Sequence, residues 1–557
     1  MASTRRTFIR SAAGSGALIL LGAPADVLAA KRKLRLARDA KFAQGIASGE
    51  PGPHAITLWT RLEGLTKPAL THVEVARDAH FRHVVHQGRV PVSATHDWTA
   101  RTRVTGLKPG EEYHYRFATA DAHSPAGRFR TAYPAGSRQP LRIGFFSCQE
   151  FTAGYYFAHK DLLTQDVDVV VCLGDYIYEK AYETPVRADD SAPSDGSAQT
   201  LAEYRAKYSL YHSDQYLREV RRNFALVGEW DDHEVEDNYA GEHGGGQQAV
   251  RRVPFPQRRA NAYRAYFEHM PRRLRANHRI YGSVPLGNAE VFLLDDRQYR
   301  GDQPCNPSDS ALSSPCPPST TDDPSRPFLG TPQQTWLKQA LSASQARWKL
   351  IANQVMITSL DIPPGNPLNT DAWDGYGAAR ADLVRHIADD QIENVSFITG
   401  DIHTFFTGHV TTSGRRTVRD PSLPDPVRGA VHATEFVCGA VTSPGIVDRA
   451  VTDEAQRVAA ATPVDAAVLG SNPQLVYANE AYKGYGLVTA GTDLGVTYRA
   501  VHDVRQPQSG VFTLRRFHVE SGAPVVHDDG GPIPLPAPSP PGTIPPLPSV
   551  PSVGPIA

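Results

Sequence analysis

The sequence has little cysteine and almost no net charge. It contains 5 cysteines in 557 residues, and 58 basic residues face 59 acidic ones, which gives a formal net charge of −1. A chain with this balance does not bind nucleic acid through its bulk charge. Hydrophobic residues make up 40% and charged residues 21% of the chain, which is ordinary for a globular protein. We therefore predict a large folded core and no stable nucleic-acid partner.

Long apolar runs are also missing after about residue 30, so we expect no transmembrane anchor. The first 30 residues carry Arg5 and Arg6, then Phe8-Ile9, then a stretch rich in Ala, Gly and Leu. This segment resembles a twin-arginine export signal, which a receptor reads and which does not anchor the protein. An ordinary secretory leader is the alternative. The resemblance implies that the twin-arginine export machinery is a partner, and that the folded, metal-loaded protein is secreted or periplasmic, at the cell-envelope exterior.

The few cysteines fall into three settings. Cys305 and Cys316 flank an insert rich in Pro, Ser and Asp, which in an oxidising compartment predicts a disulfide. Cys172 and Cys438 lie inside apolar runs and are predicted to be buried, inert thiols. Cys148 directly follows an apolar strand, and it remains as the candidate functional cysteine.

The composition and hydrophobic pattern of the chain predict four segments: a signal peptide over residues 1–30, a β-sandwich over 31–135, a catalytic domain over 136–531 and a tail over 532–557. Short alternating strands with turns between them indicate the β-sandwich, and residues 107–115 resemble a fibronectin type III-like module. Strands alternating with helices indicate an α/β domain. The tail has 11 prolines in 26 residues, too many to build a core. Predicted strands of the α/β domain are 142–147, 167–173, 224–230, 291–294, 348–352 and 395–399, and predicted helices are 200–211 and 332–345.

Metal-ligand residues follow several of these predicted strands. Cys148, Asp175, Asp232 and Asp401 each closely follow an apolar run. Open α/β sheets bind ligands at the carboxyl ends of their strands, so we expect these side chains to meet. A two-metal hydrolytic site needs a short, rigidly held bridging carboxylate, and Asp175, directly after Gly174, fits that role. The pattern predicts a metallohydrolase.

The residue types favour particular ions. Tyr178, three residues after Asp175, can bind the same ion, and a phenolate with its high intrinsic pKa needs a strongly Lewis-acidic partner such as Fe(III). The Cys148 thiolate adds a second anionic ligand. Asp401 and His403 alternate about one residue and can reach one metal cluster. Asn353, at the end of another strand, is a neutral oxygen ligand suited to Ca(II).

Two further residues are candidates for catalysis. His233, after Asp232, suits proton donation. Arg297, after the strand at 291–294, could clamp phosphate oxygens through its planar fork. It could equally pair with Asp295 or Asp296 in a purely structural role. Single Gly-Asp turns are usually only turns, and His403 or Cys148 alone could be core residues. Four such junctions in one α/β domain, however, are improbable as chance.

The full set of motifs resembles the PhoD-like alkaline phosphatase family of calcineurin-like metallophosphoesterases, over roughly residues 40 to 520. Those motifs are Ser147-Cys148, Gly174-Asp175-x-x-Tyr178-Glu179, Trp230-Asp-Asp-His-Glu234, Leu294-Asp-Asp-Arg297, Trp373-Asp374-Gly-Tyr376 with Arg380, and Gly400-Asp-Ile-His403. The resemblance implies an α/β (α+β sandwich) metallophosphoesterase domain preceded by an all-β domain. It also implies hydrolysis of phosphomonoesters and phosphodiesters at alkaline pH with Fe(3+) and Ca(2+).

Carried over by position, Cys148, Asp175, Tyr178 and His403 would hold the iron. Asp175 would bridge to calcium, with Asp232 and Asp401 on the calcium side and Asn353 as a further candidate. One departure is Asp237, where the family is expected to show a second asparagine.

Three functions remain at this point. The first is a phosphatase that acts on small phosphoester substrates for phosphate acquisition. The second is a phosphodiesterase or phospholipase D-like enzyme acting on nucleic acid, phospholipid or wall polymer. The third is a non-catalytic surface-binding protein, which the intact set of metal ligands argues against.

Overall fold

The computed structural model describes residues 34–191, 193, 196–245, 251–305, 316–362, 367–411, 431–534 and 536. The predicted signal segment and most of the proline-rich tail lie outside these residues. Cys305 and Cys316 form a disulfide, and Cys148, Cys172 and Cys438 are buried free thiols. No helix in the described ranges is long and apolar enough to cross a membrane.

Two large sheets organise the described chain. The larger sheet contains, in spatial order, β21 (Val526–Gly530), β20 (Val511–Val519), β19 (Leu494–Val501), β18 (Lys483–Ala490), β8 (Leu141–Phe146), β9 (Val169–Leu173), β10 (Ala225–Glu229), β1 (Ile46–Gly52), β2 (Ala55–Arg61) and β5 (Thr99–Thr105). The second contains β11 (Gly282–Pro285), β12 (Ala289–Leu293), β13 (Trp348–Asn353), β14 (Val395–Thr399), β16 (Val431–Val437), β15 (Phe405–Thr411) and β17 (Leu475–Asn479). A small third sheet contains β4 (Val84–Val92), β3 (Ala69–Ala76), β6 (Glu112–Ala118) and β7 (Gly127–Arg130).

Helices connect and cover these sheets. They are α1 (Phe157–Leu162), α2 (Leu201–Tyr211), α3 (Gln215–Asn223), α4 (Phe255–His269), α5 (Pro318–Thr321), α6 (Gly330–Ala343), α7 (Gly377–Asp389) and α8 (Glu454–Ser471). Short 3₁₀ turns lie at Ala94–His96, Phe151–Ala153, Ala276–His278 and Trp373–Gly375. Both helices predicted from the sequence are present, as α2 and α6, and so are all six predicted strands of the α/β region, as β8, β9, β10, β12, β13 and β14.

The two large sheets pack face to face with helices outside. Val171 of β9 and Leu350 of β13 belong to one apolar cluster between the sheets. Cys172, the next residue of β9, faces the opposite way into a cluster with helical residues such as Tyr204 of α2. Ile351 of β13 likewise packs outward among residues of α6 and α7. Because both faces of these strands are covered, they read as continuous apolar runs rather than alternating ones.

The N-terminal strands form β structure, and three of them join the larger sheet. β1 pairs in parallel with β10, so β1, β2 and β5 continue the larger sheet. The indole of Trp59, in β2, also donates to the Glu268 carbonyl at 2.7 Å. A separate all-β domain is therefore not confirmed, and the boundary near residue 135 stays a prediction.

Candidate metal centre

The site lies where two sets of parallel strands end. β8, β9 and β10 run parallel in the larger sheet, and β12, β13 and β14 run parallel in the second. Cys148 follows β8, Asp175 follows β9, and Asp232 and His233 follow β10, whereas Asp401 follows β14. The carboxyl ends of both sets meet, so the two sheets each supply part of the site.

Glycines allow the loops to approach closely. A Cβ added at Gly174, which has a φ of 96°, would lie 2.4 Å from the Cβ of Asp231. A Cβ at Gly400 would lie 2.6 Å from the Cβ of Ser147. The first contact joins the loops after β9 and β10, and the second joins the two sheets. A larger residue at either position would push ligand-bearing loops apart.

Four of the predicted ligands have a left-handed backbone. The φ angles are 56° at Cys148, 53° at Asp175, 65° at Asp401 and 58° at His403. Such a conformation costs a non-glycine residue on the order of 1–3 kcal/mol, and it persists only where the surroundings enforce it. Four of the 15 non-glycine residues with a positive φ in the described chain are therefore predicted ligands.

The first group of ligands brings together Cys148, Asp175 and His403, whose ligand atoms lie within 4.8 Å of one another. The Tyr178 hydroxyl joins them, because it donates to Asp175 Oδ2 at 2.8 Å and lies 3.2 Å from His403 Nε2. Ser443 Oγ lies 2.7 Å from the same Tyr178 oxygen. The four residues predicted to hold iron therefore converge.

Two further groups form a chain of shared residues with the first. Asp175, Asp232 and His233 form one, and Asp231, Asp232 and Asp401 form the other, each within 4.8 Å. Asp175 is shared by the first and second groups, and Asp232 by the second and third. A carboxylate shared in this way can bridge two cations.

The charge balance of these groups fits bound cations. Burial and neighbouring carboxylates raise the pKa of Asp175 and of Asp401 well above the usual range. Burial and Asp175 likewise raise the pKa of the Cys148 thiol and of the Tyr178 phenol. Asp231 Oδ2 is buried and lacks a hydrogen-bond partner within the described chain. The cationic side chains of the protein therefore do not balance all the negative charge of these carboxylates. Bound metal ions would supply the missing positive charge.

His403 is prepared to act as a neutral ligand. Its Nδ1 lies 2.9 Å from the Pro444 carbonyl, so Nδ1 carries the proton and Nε2 has a free lone pair. Burial lowers the pKa of His403 to about 3, which keeps the ring uncharged.

His233 has the opposite character. Its Nδ1 lies 2.7 Å from Glu179 Oε2, and its ring stacks on Tyr178 with 4.0 Å between centroids. Burial alone would lower the pKa of His233, but Glu179, Asp232 and Asp175 outweigh it and raise the pKa well above the usual value. The ring is held as a cation, which suits proton donation.

Arg297 is not in the position expected of a phosphate clamp. Its side chain is 0% exposed, and it donates through Nε to Asp231 and through Nη1 to Asp371, the latter at 2.6 Å. Its Nη2 lies 3.5 Å from Asp401 Oδ1. Its ion pairs go neither to Asp295 nor to Asp296 but to Asp371 and to the ligand candidates Asp231, Asp232 and Asp401. The buried guanidinium therefore neutralises part of the acidic side.

Asn353, predicted as a calcium ligand, uses its side chain for hydrogen bonds within the protein. Its Oδ1 accepts a hydrogen bond from the Trp373 indole at 3.1 Å, and its amide donates to the Val355 carbonyl at 2.5 Å. The side-chain oxygen is therefore used in packing the loop after β13, and we do not count it among the ligands.

Several residues contribute to the site without having been predicted as ligands or catalytic residues. Asp371 accepts from Arg297 and from Arg300, and it lies just before the Trp373-Asp374 motif. Ser443 contacts Tyr178 from a distant loop without any motif. Glu234 accepts from the backbone N–H of Asp175, Tyr176 and Asp231 and so joins the loops after β9 and β10.

An open cleft of about 370 Å³ lies over the groups. It is lined by Asp175, Tyr178, Asp232, His233, Asp401 and His403 together with Glu150, Lys180, Asp237, Asn238, Ser443 and Arg449, among others. Asp237, the position that departs from the family pattern, is 2.5 Å from Lys180 Nζ. The extra carboxylate is therefore matched by a neighbouring cation. Arg449 is exposed at this cleft and makes no hydrogen bond or ion pair with any residue that the structure describes.

Comparisons with known proteins agree with this arrangement. The family description "PhoD-like phosphatase" matches residues 143–497, and "PhoD-like phosphatase, N-terminal domain" matches residues 28–133. Alkaline phosphatase D of Bacillus subtilis (strain 168) is 32% identical over 499 residues, which covers 86% of this chain and 80% of that protein.

Solved structures show the same fold. A structure of PhoD superposes with a TM-score of 0.77 at 29% identity, covering 89% of this chain and 94% of that one. A purple acid phosphatase from yellow lupin seeds has a TM-score of 0.50 at 12% identity, covering 84% of this chain and 73% of that one, and supports the fold alone. On the family matches and the extent of the identity, the chain belongs to the PhoD-like phosphatase family.

Proposed function

We propose that the protein is a metal-dependent phosphatase that hydrolyses phosphoesters at alkaline pH with Fe(3+) and Ca(2+). Three overlapping ligand groups that share Asp175 and Asp232 at the floor of an open cleft carry this proposal. Cys148, Asp175, Tyr178 and His403 would hold iron, because thiolate, phenolate and carboxylate ligands favour a strongly Lewis-acidic ion. Asp232 and Asp401, with Asp231, offer the hard oxygen ligands that calcium prefers.

When bound, the two cations would neutralise phosphate charge and provide an activated oxygen nucleophile. The chain's own residues supply the rest. His233, held by Glu179, donates a proton from its other ring nitrogen to the departing ester oxygen. Arg449, at the cleft, is the cation left to hold phosphate oxygens, since Arg297 is buried below. Ser443 and Pro444 fix the orientations of Tyr178 and His403 through the contacts described above.

Phosphodiesters are a second substrate class. A cavity of about 220 Å³ adjoins the cleft and shares Tyr182, Pro444 and Arg449 with it. This cavity provides room for a second ester substituent on the phosphorus. Nucleic acid, phospholipid or wall polymer would each present such a substituent.

We further propose that the protein is exported and serves phosphate acquisition. The Cys305–Cys316 disulfide supports an oxidising compartment, where such bonds persist. The predicted twin-arginine signal lies outside the described residues.

Metal analysis combined with a substrate panel tests the function. We expect iron and calcium in the purified protein, with turnover of p-nitrophenyl phosphate and bis(p-nitrophenyl) phosphate at alkaline pH. Selective calcium chelation should abolish turnover, with circular dichroism recorded alongside because metal removal can also unfold a protein. A protein that stays fully active after verified calcium removal, or that contains only zinc, would contradict the proposed ions. No turnover of either ester by metal-loaded protein would contradict the function itself.

A further inference from the structure

A third cavity, away from the metal groups, is lined by an excess of arginine. It has a volume of about 140 Å³, and none of its lining residues belongs to the active cleft. We call it the arginine pocket and define it by Glu50, Arg103, Arg272, Arg273 and Arg275. Four guanidinium groups around one carboxylate leave an excess of three positive charges.

Glu50 does not accept hydrogen bonds from all four arginines. Its Oε2 accepts from the Arg273 backbone N–H at 3.0 Å and from Arg273 Nε at 3.1 Å. Arg275 Nη2 reaches only 3.8 Å from Oε1, which is an ion pair rather than a hydrogen bond. Arg103 contacts the Glu50 carbonyl and Thr57 through Nη1 alone. Within the described chain, the Nη groups of Arg273, Nη2 of Arg103 and the Arg275 guanidinium therefore donate no hydrogen bond.

Arg272 adds a further positive charge, which acts on Glu50 and on the buried Glu229 without forming an ion pair within the described chain. Its side chain is buried, and its two Nη groups donate to the carbonyls of Gly228 and Ile280. Its Nε is buried and finds no partner in the part of the chain that is described. Burial and Arg272 lower the pKa of Arg275, and burial and Arg273 lower the pKa of Arg103, as expected for crowded cations.

The backbone at this cavity is also strained. Glu50 has a φ of 46°, and the pairing of β1 with β2 shifts register between Gly49 and Gly52. Bulges of this kind occur next to functional sites, where they redirect a side chain. Here the bulge brings the Glu50 carboxylate among the arginines.

We propose that the arginine pocket binds a small, multiply charged oxyanion of the inorganic phosphate class. Guanidinium groups recognise such an anion through paired N–H donors. The cavity volume suits one tetrahedral anion rather than a polymer. An anion here would join Arg103, from the N-terminal strands, to the arginines of the segment after α4. The proposed function releases phosphate, and the identification of phosphate as the natural occupant rests on that function. The binding of an oxyanion in the arginine pocket does not rest on it.

Calorimetric titration of metal-loaded protein with inorganic phosphate, at constant ionic strength in chloride, tests the proposal. We expect two phosphate equivalents per chain, one at the metals and one in the arginine pocket. The double variant Arg273→Ala/Arg275→Ala should lose one equivalent, or bind it at least about tenfold more weakly. It should keep its hydrolytic activity, because neither residue lines the cleft. Sulfate should compete for the equivalent that is lost.

A control variant removes two comparable charges elsewhere. Arg128 and Arg264 are partly exposed and paired with Glu112 and Glu268. Arg128→Ala/Arg264→Ala should therefore keep both equivalents. Glu50→Gln should tighten phosphate binding, since it removes the competing carboxylate, and phosphate should restore any thermal stability that this variant loses.

Unchanged stoichiometry and affinity in Arg273→Ala/Arg275→Ala would overturn the proposal, as would an equal loss in the control. Failure of the proposed function is a separate result, because it would appear as metal-loaded protein without turnover while the calorimetry still reports both equivalents.

Discussion

Tyr178 is the residue that most directly reports the proposed iron. Tyr178→Phe removes the phenolate, so the visible charge-transfer absorption of the purified protein should disappear. Tyr176→Phe is a matched control, since Tyr176 lies in the same loop, is fully buried, and its hydroxyl has no partner among the described residues. Absorption spectra of the two variants and the wild type make the comparison. A coloured Tyr178→Phe protein with its iron retained would show that the phenolate is not a ligand.

Arg297 is expected to act on stability and metal retention rather than on substrate binding. Arg297→Ala would leave Asp231 and Asp401 without their buried arginine partner, while Arg300 would still pair with Asp371. Breaking such a buried pair costs about 3–5 kcal/mol. Chemical denaturation of metal-loaded protein measures the loss, and metal content shows whether calcium is released. A fully stable variant that retains its metals and shows only a higher KM would instead restore the phosphate-clamp interpretation.

Arg449 should carry the role first assigned to Arg297. Losing a charge-assisted hydrogen bond to phosphate lowers kcat/KM by about ten- to a hundredfold. Arg449→Ala should show this loss with an unchanged thermal midpoint. Arg385→Ala is the control, because Arg385 is also exposed and unpaired in the described chain but lies on α7, away from the cleft. Equal kinetics in both variants would exclude Arg449 from substrate binding.

Of the residues proposed to hold iron, Cys148 and Asp175 could be selected because each closely follows an apolar run, which is a local signal. Tyr178 and His403 could be selected because they share a motif with Asp175 and with Asp401. Arg297 and Asn353 have the same signal, yet their side chains turn beneath the site and into the packing. That difference depends on Asp371 and Trp373, which come from other loops. Sequence spacing identifies which strand ends carry polar residues, but tertiary partners decide what each side chain faces.

At the scale of elements, the junction between α8 and β17 contains a pair of buried acids. The Glu480 backbone N–H donates to Asp465 Oδ1 at 3.0 Å, and both side chains are almost fully buried. Burial raises the pKa of Glu480 from 4.5 to about 7. The folded state therefore holds this proton more tightly than the unfolded state, and the stabilising effect is present at low pH.

It follows that the Glu480 contribution is lost as pH rises from 4.5 to about 7. The loss amounts to at most about 3 kcal/mol in the free energy of unfolding. Glu480→Gln should remove this dependence. Urea denaturation of the wild type and of Glu480→Gln at about pH 5 and about pH 8 measures the Glu480 contribution. The pH effects of the metal site cancel when the free energies of unfolding of the two proteins are subtracted. Parallel pH profiles for the two proteins would contradict the raised pKa.

Element positions in the α/β region could be predicted well, since strands covered on both faces are continuous apolar runs. The assignment of strands to sheets could not. β18 to β21 lie beyond residue 480 yet return to pair beside β8, and β1 joins β10. Backbone pairing between such distant segments leaves no periodic signal in the sequence.

At the scale of the whole molecule, the shared sheet predicts a single unfolding transition. Because β1 pairs with β10, the N-terminal strands and the catalytic region should lose structure together. Differential scanning calorimetry of the metal-loaded protein measures this. Residues 34–134 expressed alone should not fold, since β1 would expose an unpaired edge. Two resolved transitions, or a folded fragment, would establish an independent N-terminal domain.

The division of the metal ligands between the two sheets also sets an order of events during synthesis. Cys148, Asp175 and Asp232 leave the ribosome long before Asp401 and His403, so a nascent chain cannot assemble either ion's complete ligand set. Metal capture must wait until both sheets have formed and packed. A chain exported in folded form would therefore carry its ions outward from the cytoplasmic pool. A chain exported in unfolded form would have to bind them after export, from its surroundings.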